Sequence, residues 1–171
     1  VMAPAGANLQ FVPLPSLTKN TGYEPIQRQS TDRSLWISEI MGNMGYTTGD
    51  FSDRTRRYAH DIRNSNNADW AVVIFVVNSF NDADGKFTDG KFAFARLGGP
   101  YIVMTYKNNG YTILNMDAVA AHELGHTFYA LDEYLNNGAA DGNTWSGYLN
   151  IRNLNYDGPD ECIMKGDTPP Y

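Results

Sequence analysis

Apolar side chains recur at helical spacing in the first half of the chain. In one segment the recurring positions are Leu35, Trp36, Ile40, Met41 and Met44. Thr31 and Asp32 precede them and are residue types that cap helix N-termini, while Gly45 follows and favours a helix end. A second helix is predicted over residues 52–62, ahead of a polar run at residues 64–67.

Three shorter apolar runs favour β-strands. Residues 70–77 form a continuous β-branched and aromatic run, which predicts a strand buried on both faces at the centre of a sheet. Residues 92–95 and 101–106 flank a Gly-Gly-Pro break at residues 98–100 and favour strand by composition. Because Pro100 cannot donate a backbone hydrogen bond, it predicts an edge position for the strand that follows.

The two ends of the chain lack sustained periodicity. Residues 1–25 contain four prolines and predict an extended arm that runs over the surface or along a sheet edge. From Asn136 onward the chain is rich in Gly, Asn and Asp and predicts mostly loop. No repeats or low-complexity segments appear, and 171 residues is the size of one ordinary domain, so we expect a single domain over residues 1–171.

The composition is that of a folded protein without affinity for polyanions. Apolar residues make up 42% of the chain and charged residues 19%, which excludes the disordered class. The net charge is -6 and Lys and Arg form no long run, so neither nucleic acid nor an anionic membrane is an expected partner. The longest apolar run is far shorter than the roughly 20 residues of a membrane-spanning helix.

Acidic and amide side chains cluster in a turn that follows the first predicted strand. Residues 81–85 read Asn-Asp-Ala-Asp-Gly and Asp89 follows, so their oxygens could hold a calcium ion. The pattern of calcium helix-loop-helix sites is not met, because Phe80 occupies the first ligand position and Lys91 the twelfth. The same residue types dominate ordinary turns, so a plain turn is the alternative to calcium binding.

A predicted helix in the last third of the chain carries the candidate chemistry. Its apolar positions are Val119, Ala120, Leu124, Phe128 and Leu131. Asp117 is a suitable N-cap, and His122, Glu123 and His126 follow in the order His-Glu-Leu-Gly-His. The four-residue spacing puts both imidazoles on one side of the helix, where two nitrogens can bind one zinc ion.

This spacing indicates metal-dependent hydrolysis. Catalytic zinc keeps one coordination position open and lowers the pKa of bound water to about 7. Glu123 projects beside the two histidines and can accept a proton from that water without being a ligand. His122 and His126 are therefore the predicted zinc ligands and Glu123 the predicted general base of a metallopeptidase. A chance match is the alternative.

The run His-Glu-Leu-Gly-His-Thr-Phe-Tyr-Ala-Leu-Asp, which ends at Asp132, resembles the zinc-binding signature of metzincin peptidases. Metzincins place a third ligand six residues after the second histidine, and Asp132 holds that position. Aspartate is used there in the snapalysin-like branch, and the Asp-Glu-Tyr ending also looks like bacterial immunoglobulin A peptidases. Residues 161–164 resemble the segment before the metzincin Met-turn, which implies that Met164 lies beneath the metal.

One position departs from the metzincin pattern, which has glycine where this chain has Tyr129. In an unbroken helix Asp132 would lie about 600° round from His126, facing away from the metal, so the helix must end near Tyr129. Glu133, about 700° round, would return to the correct face but roughly 10 Å further along the axis. The later carboxylates that stay open as alternative ligands are Asp157, Asp160 and Glu161.

The resemblance implies a metzincin-like α/β catalytic domain with a twisted mixed sheet, backing helices and an active-site helix. It implies a zinc-dependent endopeptidase, extracellular or otherwise exported, which we expect to be a monomer. A protein or peptide substrate would add to the strand at residues 101–106. Tyr134 and Tyr171 could hydrogen-bond the oxyanion, as tyrosines do in some related enzymes. The alternative function is a non-catalytic, zinc-stabilised binding module or a degenerate peptidase.

Overall fold

A computed structural model describes residues 10–134, 141–145, 152–153, 156–158 and 162–165. Its helices are α1, Arg33–Asn43; α2, Phe51–Ser65; and α3, Met116–Thr127. Its strands are β1, Val73–Val77; β2, Ala93–Ala95; and β3, Tyr101–Thr105. Together these described elements form a mixed α/β fold with one small mixed sheet, which confirms the predicted α/β class.

The middle strand of the three described strands is β3. It pairs in parallel with β1, with Val73 opposite Tyr101, and antiparallel with β2, with Ala95 opposite Ile102. All five β3 residues are buried. The predicted edge position for this strand is therefore wrong. Pro100 stands just before the strand, where its carbonyl accepts a hydrogen bond from the Val73 amide at 2.8 Å and no β3 amide is lost.

The prediction that the first strand is central and buried on both faces is also wrong. Of the described strands, β1 pairs with β3 alone, and its burial alternates along the strand. Phe75 and Val77 are buried, whereas Ile74 and Val76 are 47% and 48% exposed. An uninterrupted apolar run does not reveal how many of its faces are covered, because that depends on where the helices pack.

The two faces of the sheet meet different helices. On one face the buried core consists of Ile26, Trp36, Ile37, Met41, Phe75, Val77, Phe87, Tyr101 and Val103. This core joins the sheet to α1, which packs against α2, and Trp36 meets Phe75 edge to face at 5.6 Å. The alternate residues Ile102 and Met104 point to the opposite face, where α3 packs against β2 and β3. Packing against β2 and β3 therefore positions α3 on this face of the sheet.

The helices lie in the predicted segments, but α3 ends at Thr127, before the predicted helical positions Phe128 and Leu131, and the caps differ. Asp32 precedes α1, yet its side chain makes no capping hydrogen bond. Asp50 caps α2 by accepting a hydrogen bond from the Asp53 amide at 2.9 Å. Asp117 lies in the first turn of α3 rather than at its cap, because the helix begins at Met116 and its N-cap is Asn115. None of these three helices is both long and apolar enough to cross a membrane.

The predicted arm at residues 1–25 lies partly outside the described residues. Residues 10–24 contain no helix or strand, and most of them are exposed. The chain then enters a 3₁₀ turn at Pro25–Gln27, where Ile26 joins the core. The described parts of the C-terminal stretch contain one isolated bridge, between Trp145 and Arg152, and a 3₁₀ turn at Ile163–Lys165.

The acidic turn between β1 and β2 has its carboxylates engaged with backbone amides. Asp82 accepts hydrogen bonds from the amides of Asp84 and Gly85, and Asp84 accepts one from the amide of Lys86. The Lys107 ammonium donates to the Asp82 carbonyl. These contacts are those of an ordinary turn. Calcium binding by this segment stays a prediction.

Candidate metal centre

Two histidines one turn apart on α3 face the same point. The rings of His122 and His126 have centroids 4.9 Å apart and are nearly perpendicular. Nδ1 of His122 bonds to the Ile163 carbonyl at 2.7 Å, and Nδ1 of His126 bonds to the Ala130 carbonyl at 2.8 Å. Because a carbonyl only accepts, Nδ1 carries the proton in each neutral ring and Nε2 presents its lone pair.

The α3 helix ends at Thr127 because the next residues form a Schellman motif. The Tyr129 amide donates to the His126 carbonyl at 2.9 Å, and the Ala130 amide donates to the Gly125 carbonyl at 3.1 Å. Tyr129 has a φ of 65°, the left-handed conformation that glycine usually supplies at this position. The helix therefore ends early enough for Asp132 to turn back toward the histidines.

The ring of Tyr129 packs into the turn between β2 and β3. A Cβ atom on Gly98 would lie 2.5 Å from the Tyr129 hydroxyl oxygen, so the ring needs glycine there. The Gly98 amide also donates to the His126 carbonyl at 3.0 Å. This packing offsets the roughly 1–2 kcal/mol that a left-handed conformation costs a residue with a Cβ atom. The sequence placed Gly98 only in the break between two strands and gave no sign of its contact with Tyr129.

Asp132 brings a third ligand atom to the two histidines. Its Oδ1 lies 3.2 Å from Nε2 of His122 and 3.3 Å from Nε2 of His126. One ligand atom from each residue lies within 4.8 Å of the others. His122, His126 and Asp132 are therefore close enough together to bind one metal ion, and their donor atoms suit it because both imidazole lone pairs and a carboxylate oxygen converge.

The alternative ligands do not join this group where the structure describes them. Glu133 directs its carboxylate to Cys162, whose Sγ lies 2.7 Å from Oε2. Asp157 is exposed. Its backbone amide, rather than its carboxylate, makes the contact, donating to the Glu133 carbonyl at 2.9 Å. Asp160 and Glu161 lie outside the described residues. Within the described ranges, no other group of three or more His, Cys, Asp and Glu side chains lies as close together.

Asp132 and the histidines stabilise one another's charged forms. Burial opposes ionisation of Asp132, but hydrogen bonds from the protonated rings of His122 and His126 outweigh it and hold the pKa of this carboxyl well below its usual value. Burial alone would lower the pKa of each histidine, but the hydrogen bond with Asp132 raises both pKa values. The pocket therefore favours a cation between these groups, whether protons or a metal ion.

Glu123 lies beside the cluster without belonging to it. Its side chain is buried, and Oε2 has no hydrogen-bond partner among the residues that the structure describes. The backbone amide of Ala95 on β2 donates a hydrogen bond to the carboxyl group. Burial raises the pKa of Glu123 to about 7, with His126 and His122 opposing the shift. A buried carboxyl group with a raised pKa beside candidate metal ligands is the arrangement expected of a proton acceptor.

Met164 packs against α3 between the two histidine positions. It is 3% exposed, and its Sδ would lie 2.5 Å from a Cβ atom on Gly125. The preceding residue, Ile163, supplies the carbonyl that holds His122. The structure thus places Met164 next to the histidine-bearing helix. Its role as the methionine of a Met-turn stays a prediction.

Tyr134 also approaches the cluster. Its ring centroid lies 6.4 Å from that of His122, and its side chain hydrogen-bonds to Asp132. Burial raises the pKa of Tyr134 to about 12, so the hydroxyl keeps its proton at neutral pH. Tyr171, the other tyrosine named from the sequence, lies outside the described residues.

The edge of β2 that does not pair with β3 faces Glu123, whereas the sequence predicted residues 101–106 as the strand beside the site. The Thr105 amide donates to the Phe92 carbonyl and the Arg96 amide donates to the Tyr101 carbonyl, so the even-numbered residues in and beside β2 form the ladder with β3. The backbone groups of Ala93 and Ala95 therefore point away from β3. Ala95 donates its amide on that side to Glu123. Among the described strands, the edge strand beside the candidate site is β2, not residues 101–106.

Comparison of the chain with known protein families, with curated proteins and with solved structures finds no match in any of the three. The site is therefore characterised by the geometry of His122, Glu123, His126 and Asp132 alone.

Proposed function

We propose that this protein is a zinc-dependent peptidase. The observation that carries the proposal is the convergence of His122, His126 and Asp132 on one point with Glu123 buried beside them. Three ligand residues and a separate carboxyl group are the parts that a hydrolytic zinc site requires. The sequence resemblance to metzincins supports the same reading, and the relationship to that family is itself part of the proposal.

Zinc fits the donor set better than a hard cation does. Two imidazole nitrogens and one carboxylate oxygen suit Zn²⁺, whereas Mg²⁺ and Ca²⁺ take oxygen ligands. Both Nδ1 atoms are hydrogen-bonded to carbonyls, an arrangement that orients the rings of metal-binding histidines. Zinc held by His122, His126 and Asp132 would lower the pKa of a water molecule and polarise the carbonyl of a substrate.

Glu123 would then act as general base and afterwards as general acid. Its unpartnered Oε2 can accept the proton of the attacking water, and the same carboxyl group can pass that proton to the leaving amine. The Ala95 amide holds the carboxyl group in place during both transfers. A cation beside it would favour the ionised form, so the base would be available at neutral pH.

The edge of β2 supports a peptide as the substrate. An extended peptide can add to a sheet edge through backbone hydrogen bonds, and the backbone groups of Ala93 point to the side where Glu123 lies. A peptide paired with this edge would pass next to the metal ligands. Backbone pairing would hold the scissile bond in a defined place, while the side chains of the substrate decide selectivity.

The test is cleavage of a broad peptide library by the purified protein before and after removal of metal. We expect cleavage to stop when a chelator removes the metal and to return when zinc is added back. His126→Ala serves as the control, because added zinc should not restore its activity. Tight zinc binding by the parent protein without cleavage of any peptide would contradict the peptidase and favour a zinc-stabilised binding module.

A further inference from the structure

The segment that carries Asp132 is held by the C-terminal part of the chain rather than by α3. The Glu133 amide donates to the Met164 carbonyl at 3.0 Å, and the Glu133 carbonyl accepts a hydrogen bond from Asp157. The Asp132 carbonyl accepts a hydrogen bond from Nδ2 of Asn153 at 2.8 Å. The first two contacts join backbone to backbone. The Asn153 contact is made by a side chain, so a substitution can remove it.

Asn153 is itself fixed in orientation. It is 8% exposed, its amide donates to the Thr144 carbonyl at 2.9 Å, and its carbonyl accepts from the Tyr156 amide at 3.1 Å. Its neighbour Arg152 forms an antiparallel bridge with Trp145. Because the backbone of Asn153 is bonded on both sides, its side-chain amide meets Asp132 from a fixed direction.

The three candidate ligands differ in what holds them. His122 and His126 stand on a continuous helix, and each Nδ1 is hydrogen-bonded to a carbonyl. Asp132 lies five residues beyond the end of that helix, and the Schellman motif fixes the chain only as far as Ala130. The direction of the Asp132 carboxylate therefore depends on the peptide group that follows it, which Asn153 holds at the Asp132 carbonyl and Met164 holds at the Glu133 amide.

We propose that Asn153 is a positioning residue for the third metal ligand. The side-chain amide of Asn153 fixes the peptide group that follows Asp132, and that peptide group directs the Asp132 carboxylate toward the two imidazoles. This inference rests on the proposed function only in treating the three residues as a metal site. Its measurement is metal affinity, which does not require that the protein cleave peptides.

Removal of the side-chain amide of Asn153 should weaken zinc binding. Loss of a hydrogen bond that orients a metal ligand typically lowers metal affinity about 10- to 100-fold, and we expect Asn153→Ala to lie in that range. With Co²⁺ in place of zinc, the visible absorption of the variant should shift, because the carboxylate no longer ligates as in the parent. Asn143→Ala, at an exposed asparagine of the same part of the chain, should bind zinc and Co²⁺ like the parent.

A double-mutant cycle separates positioning from general support of the loop. If Asn153 acts through the Asp132 carboxylate, then Asn153→Ala should have no further effect on zinc affinity in an Asp132→Ala background. A general structural role would weaken zinc binding to a similar extent in both backgrounds. An additive cycle, or zinc binding by Asn153→Ala as tight as that of the parent, would overturn the proposal.

Asn153→Asp keeps the test decisive if the alanine variant does not fold. The side chain keeps its size but an ionised carboxylate cannot donate to the Asp132 carbonyl. Its added negative charge would by itself tighten zinc binding, so weaker binding must come from lost positioning. Unchanged or tighter binding would overturn the proposal. If the parent binds zinc but cleaves no peptide, the peptidase function fails while this inference stands.

Discussion

Met164 places its sulfur atom against the backbone of α3 at Gly125, so closely that a Cβ atom on Gly125 would lie 2.5 Å from Sδ. Gly125 directly precedes His126, and Ile163 directly precedes Met164 and holds His122 through its carbonyl. The contact therefore joins the helix that carries both histidines to the segment that orients one of them. A change at either residue should reach the metal centre.

Gly125→Ala should destabilise the protein although alanine favours helix. Alanine gains up to about 1 kcal/mol over glycine in a helix interior, but overpacking against the buried Met164 costs about 1–3 kcal/mol. We expect a lower unfolding temperature and weaker zinc binding. Gly42→Ala in α1 is the matched control, since the nearest atom to its added Cβ would be 3.7 Å away, and it should be neutral or stabilising. Equal effects of the two substitutions in chemical denaturation would contradict the close contact.

Tyr129 should tolerate glycine better than alanine. At a φ of 65°, alanine keeps the strained backbone and loses the ring that packs on Gly98, whereas glycine removes the strain. We expect Tyr129→Gly to be about 1 kcal/mol more stable than Tyr129→Ala in urea denaturation. At Ala121, an exposed position inside α3, the order should reverse, because Ala121→Gly loses helix propensity. The same order at both positions would argue against a left-handed Tyr129.

The spacing of apolar residues predicted where the helices and strands lie better than it predicted how they pack together. The three described helices and three described strands lie in the segments that spacing and composition indicate, although α3 ends at Thr127, before the predicted helical position Leu131. The central position predicted for β1 and the edge position predicted for β3 were wrong, because the strand order is β1-β3-β2. That order depends on α3 covering β2 and β3, with Ile74 and Val76 left partly exposed, and no local pattern records where a helix will pack.

In the candidate site, too, the residues on one helix could be predicted from the sequence, whereas the contacts between distant segments could not. His122, Glu123 and His126 could be named from the sequence because one helix carries them at fixed spacing. Asp132 came from the resemblance to metzincins, and its placement needed a helix end that Tyr129 does not favour by residue type. The contacts that allow it come from distant residues, namely Gly98 and Asn153. Interactions between segments so far apart in sequence leave no local pattern to read.

Ala93→Pro should impair peptide binding while leaving the fold intact. The Ala93 amide lies on the outer edge of β2, so proline removes no hydrogen bond from the ladder with β3 but removes a donor that a bound peptide would use. We expect a higher KM for peptide cleavage with little change in unfolding temperature. Ala93→Gly, which keeps the amide, should have a KM close to that of the parent. A parent-like KM for Ala93→Pro would mean that peptides do not pair with this edge.

Glu123→Gln tests the central claim most directly. The amide has nearly the size of the carboxylate and leaves His122, His126 and Asp132 in place, so the variant should bind zinc as the parent does. It cannot accept a proton from water, and general-base catalysis typically contributes about 10²- to 10⁴-fold. The measurement is zinc content together with kcat for peptide cleavage, on this variant and on the parent. We predict full zinc occupancy with kcat reduced by about 10²-fold or more; a zinc-loaded Glu123→Gln protein that cleaves peptides at the parent rate would contradict the account.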